Sequence, residues 1–82
     1  MPTVLRKYGY RFHFYGSDMG EPRHIHVSGH DGVAKIWLEP IEIVASNGFD
    51  AANVKRILEV VDDHKHQLVE AWDEFFKSVS GE

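Results

Sequence analysis

The chain has 82 residues, with 13 acidic against 9 basic side chains, six histidines, no cysteine and 43% apolar residues. The length admits one domain, 1–82, with a single core, the missing cysteines exclude disulfide scaffolds and thiolate metal sites, and no apolar run nears the roughly 20 residues of a membrane span. Charge is uneven: residues 1–30 carry four basic and two acidic side chains, a balance of +2, while 31–82 carry five and eleven, a balance of −6. Bulk charge therefore argues against nucleic-acid binding, but leaves room for a small anion-facing patch in the first half. Met1 to Arg6 has no apolar stretch like that of a signal peptide, so a cytoplasmic location is expected. A core this small gives thin stability, so a partner protein or a second copy of the chain is also expected.

Thr3 to Lys7 is a short β-prone run that Tyr8-Gly9 can turn. Tyr10 to Tyr15 alternates strictly, with Phe12 and Phe14 on one side and Arg11, His13 and Tyr15 on the other. Gly16 to Pro22 reads as a loop. Arg23 to Ser28 alternates again, placing Ile25 and Val27 inward and His24, His26 and Ser28 outward. Gly29-His30-Asp31-Gly32 is a tight connection, because Asp-Gly tolerates positive φ. Val33 to Glu39 follows, with Ala34, Ile36 and Leu38 inward and Lys35, Trp37 and Glu39 outward. Pro40 interrupts the ladder, so Ile41 to Ala45 is expected as an edge segment or a further short strand.

Asn47-Gly48 turns the chain into a helix that Asp50 caps, with Phe49 and Val54 spaced as a hydrophobic staple. Val54, Leu58, Val61, Lys65, Leu68, Trp72, Phe75 and Val79 then recur at steps of four and three, a helical stripe widened by Ile57, Val60, Val69 and Phe76. One unbroken helix from Ala51 to Val79 would be about 43 Å long, more than a small sheet can cover. Either it breaks near Asp62–Gln67, or its Trp72–Phe76 end packs on another chain. Strands followed by helix define an α+β class: an antiparallel β-meander of three to five short strands, then one long or broken C-terminal helix packed on one sheet face. The opposite face is then polar and carries Arg11, His13, Tyr15, His24, His26, Ser28, Lys35, Trp37 and Glu39.

His24-Ile25-His26 is the sharpest chemical signal on that face. Strand residues two apart point the same way at roughly 7 Å, a spacing that suits one metal ion or one phosphate. His13 can join them, and His13, His24 and His26 would then be the ligands of a divalent metal such as zinc or nickel. The same histidines also read as ordinary residues of a solvated face. His64 and His66 share the spacing but diverge on a helix, so they read as solvated, as does His30 in its turn. The Gly16–Gly20 segment lacks a phosphate-loop pattern, and no serine sits in a nucleophile elbow.

Tyr10-Arg11-Phe12, Glu21-Pro22-Arg23-His24-Ile25-His26-Val27 and Ala34-Lys35-Ile36-Trp37-Leu38 with Pro40 together resemble the small bacterial family known as domain of unknown function 4160. The resemblance extends through Gly48-Phe49 to Leu68, Trp72 and Phe75. The family usually has a second proline where this chain has Arg23, and often an aromatic residue where it has His13. Its members are commonly encoded beside another small domain, in pairs that look like toxin–antitoxin modules. The resemblance thus implies a toxin-like role and a small partner protein encoded nearby, without a known reaction. Three readings stay open. In a ribonuclease-like toxin, His24 and His26 would be the catalytic acid and base, Arg11 and Lys35 would contact phosphate, and Trp37 or Tyr15 would stack a base of RNA. The second reading is a metal-binding domain using His24 and His26 with His13 or Glu21. The third is a non-enzymatic interaction module.

Overall fold

The computed structural model describes residues 3–15 and 20–79. Most of the expected loop from Gly16 to Pro22, and the Val79 side chain of the helical stripe, lie outside the described residues. The elements are β1 (Thr3–Lys7), β2 (Tyr10–His13), β3 (His24–Gly29), β4 (Gly32–Leu38), β5 (Ile41–Asn47), α1 (Ala51–Asp63) and α2 (Lys65–Val79). The strands pair antiparallel in chain order, β1-β2-β3-β4-β5. The class is therefore α+β, a five-stranded meander followed by two helices. Among the described residues no helix is long and apolar enough to cross a membrane.

Two-residue turns fix the register of β1 against β2 and of β3 against β4. Lys7 pairs with Tyr10 around Tyr8 and Gly9, and Gly29 pairs with Gly32 around His30 and Asp31. All four turn residues have positive φ, at 55°, 83°, 49° and 64°. That is the backbone whose twist matches paired strands. The two turns lie side by side. His30 Nε2–H donates to the Tyr8 carbonyl at 2.9 Å, and its ring rests on Tyr10 at 4.7 Å. The approach is so close that a Cβ on Gly29 would sit 2.5 Å from the Gly9 carbonyl oxygen, which explains glycine there.

Strand alternation sends Tyr10, Phe12, Phe14, Ile25, Val27, Ile36 and Leu38 to one face, where Ile57, Val60 and Val61 of α1 and Leu68, Trp72 and Phe76 of α2 cover them. The helix starts as expected: the Asp50 carboxylate accepts from the Asn53 amide at 2.8 Å. Phe49 packs edge-on to Tyr10, and the Tyr10 hydroxyl donates to Asn53 Oδ1. Asp50→Ala is expected to cost about 1 kcal/mol, read as a lower urea midpoint at unchanged slope. An unmoved midpoint would mean that the cap contributes nothing.

The interruption of the helix is narrower than the polar run Asp62–Gln67 suggests. Only His64, at φ −115° and ψ 15°, leaves helical geometry. Its Nδ1–H and its backbone N–H both donate to the Val60 carbonyl, at 2.8 and 3.0 Å. A side chain entering the ladder in this way is a recognised cause of a kink. The alternative, that Trp72 and Phe76 wait for another chain, is corrected: they are only 7% and 8% exposed. Phe14 accounts for this, because its ring meets Trp72 at 5.3 Å, Phe75 at 5.9 Å and Phe76 at 6.4 Å.

Candidate functional site

Directly opposed residues of paired strands share a face, so the register lays out the uncovered side of the sheet in rows. One row runs Arg6, Arg11, Ser28, Val33, Asn47. The next runs His13, His26, Lys35, Ala45. A third holds His24, Trp37 and Glu42. The predicted residues are thus brought to one face.

The three imidazoles do converge. His13 and His26 stack at 5.9 Å, and His24 meets His26 edge-on at 5.0 Å. Tyr15 closes the group, with its ring 4.4 Å from His26 and its hydroxyl hydrogen-bonded to His13 Nε2 at 3.2 Å. The face is not uniformly solvated, however, and that expectation is corrected: His24 is 0% and His13 2% exposed. Trp72 is the physical reason for His24. It meets Phe14 in the core layer and His24 on the other side, at 4.9 Å, while Trp37 lies 5.6 Å away. The end of α2 therefore wraps the start of β3. His24 Nδ1 is 2.8 Å from the Pro22 carbonyl. A carbonyl only accepts, so Nδ1 carries the proton and a neutral ring keeps its lone pair on Nε2. Of the two motif histidines, only His26 retains an open side.

Among the described residues no group of three or more His, Cys, Asp or Glu side chains is arranged to hold a metal ion. The rings of His13, His24 and His26 meet at 5.9 and 5.0 Å without making such a group, so the zinc or nickel centre that their spacing suggests is not formed among the described residues.

The cations divide into paired and unpaired. Lys35 Nζ contacts Glu21 at 2.7 Å and lies 5.1 Å over the Trp37 ring. Arg23 Nε donates to Asp73 at 2.8 Å and its Nη1 to Glu39 at 3.2 Å. The hydrogen bond and charge of Asp73, with Glu39 adding, hold the Arg23 guanidinium above the ordinary arginine range. Arg23 is thus a tether between β3, the β4–β5 turn and α2. Arg11 is half-buried, its Nε enclosed and without a hydrogen-bond partner among the described residues. Arg6, directly opposite, was not singled out by sequence reasoning, although a two-residue turn at Tyr8-Gly9 implies its position.

Tyr15, His26, Val33, Lys35, Ala45 and Asn47 line an open concavity of about 330 Å³ on this face. Tyr15 and Val33 are 37% and 56% exposed there. Trp37, with Tyr15 one of the two residues that the ribonuclease reading offers for stacking a base, is half-buried between His24 and Lys35.

Fold and face together define a class: a small α+β domain whose meander is helix-covered on one side and carries a histidine–aromatic cluster on the other. The chain belongs to the family described as Domain of unknown function (DUF4160), whose model matches residues 9–73. No curated protein and no solved structure matches it.

Proposed function

We propose that the chain is the toxin-like member of a two-protein bacterial module, acting in the cytoplasm by binding through its open sheet face without breaking a bond in its target. The burial of His24 carries this reading. Acid–base cleavage by two imidazoles needs both to reach the reacting atoms, and the His24 ring has no exposed surface. What faces outward instead is a mixed surface of Tyr15, His26, Val33 and Lys35. Such a combination of aromatic, aliphatic and polar groups is typical of a contact surface. The family resemblance supplies the partner's kind: a small protein encoded beside this one.

The test is co-expression with that neighbouring protein, followed by calorimetric titration of the separated chains. Tyr15→Ser and Val33→Asp are expected to weaken binding by at least about tenfold with unchanged melting, and purified chain is expected to leave RNA intact. Full binding by both variants would remove the face from the interaction. RNA cleavage that His26→Asn abolishes would replace binding by catalysis, with His26, Tyr15 and Lys35 around the substrate.

A further inference from the structure

We infer that Arg6, Arg11 and Ser28 form an oxyanion site on the open face, shaped for a phosphate group. The inference deepens the binding reading above and rests on that face being the working surface. Arg6 and Arg11 are cross-strand neighbours, directly opposed, and Ser28 stands opposite Arg11 on its other side. Like charges so placed repel, and no described carboxylate lies within ion-pair distance of either guanidinium. Lys35 and Arg23 show the contrast, each neutralised by an acid at 2.7 to 3.2 Å.

One bound oxyanion resolves the repulsion. It offsets both positive charges, accepts from the guanidinium groups of Arg6 and Arg11, and takes a hydrogen bond from the Ser28 hydroxyl. Phosphate fits better than carboxylate. A guanidinium fork uses both oxygens of a carboxylate, whereas three donor groups spread over neighbouring strands call for an acceptor with three or more oxygens. The phosphate can be a free ion or part of a single-stranded RNA backbone.

Two titrations separate these sources: inorganic phosphate followed by amide NMR shifts, and a short labelled single-stranded RNA followed by fluorescence anisotropy across a salt series. Saturable shifts at Arg6, Arg11 and Ser28 with phosphate alone support a free-ion site. Binding of RNA, with a salt slope that flattens by about 0.7 for each arginine removed, supports a strand. In either case Arg11→Met and Arg6→Met are expected to weaken binding by roughly tenfold, while Lys55→Met, an equal charge change on α1, has no such effect. If Arg11→Met fails to fold, Arg6→Met on the exposed edge strand carries the test. Equal losses in all three variants would reduce the site to net charge and overturn it. If neither probe binds while Tyr15→Ser still releases the partner protein, the oxyanion site is wrong and the binding face stands. If Tyr15→Ser leaves partner binding intact, the face itself fails whatever the anions do.

Discussion

Phe14→Ala is expected to lower unfolding stability by roughly 3–5 kcal/mol. The ring is fully buried and joins the end of β2 to three aromatic rings of α2: Trp72, Phe75 and Phe76. Domains have only about 5–15 kcal/mol of stability, so the variant should be partly unfolded at ambient temperature or melt far earlier. Trp72→Ala should cost a similar amount, and the double variant less than the sum, because the two rings touch at 5.3 Å and share one cavity. Equilibrium denaturation of the four proteins gives the coupling. Strict additivity would mean that α2 is not held through this contact.

The two histidines of the His24-Ile25-His26 motif are expected to part company. His24→Asn removes a ring held between Trp72, Trp37 and His26 and disturbs its hydrogen bond to the Pro22 carbonyl. A lost buried hydrogen bond together with a cavity should cost about 2–4 kcal/mol. His26→Asn alters a half-exposed side chain beside the concavity and should stay within about 0.5 kcal/mol of the parent, while weakening partner binding. Thermal melts alongside the binding titration read both effects. Equal stability of the two variants would mean that His24 is not enclosed. Stable His24→Asn with lost function would return His24 to the acid–base role.

Much of this site is legible in the sequence. The alternation through Tyr10–Tyr15, Arg23–Ser28 and Val33–Glu39 sorts core from open face without error at Phe12, Phe14, Ile25, Val27, Ile36 and Leu38. It works because a strand's side-chain period is two, and a single core consumes only one face. Asp50 was equally readable, because a helix start needs an acceptor for its first free amides, and the 2.8 Å bond to Asn53 provides one. Arg6 was missed although the Tyr8-Gly9 turn fixes its register opposite Arg11.

The sequence by itself determined the strand–helix order, the inward face, the helix cap and the gathering of the histidines with Arg11, Tyr15, Lys35 and Trp37 on one side of the sheet. These are local properties, set by alternation, turn chemistry and spacing over a few residues. Tertiary structure alone decided which of those residues stay available. Trp72 buries His24 from 48 positions away in the chain, Asp73 and Glu39 neutralise Arg23, and Glu21 neutralises Lys35. Alternation states which way a side chain points but not what arrives to meet it. The arrival depends on how far α2 reaches past the sheet after the interruption at His64. The reach of α2 leaves His26 open and His24 enclosed, and the placement of the described carboxylates leaves Arg6 and Arg11 without a counter-charge among the described residues.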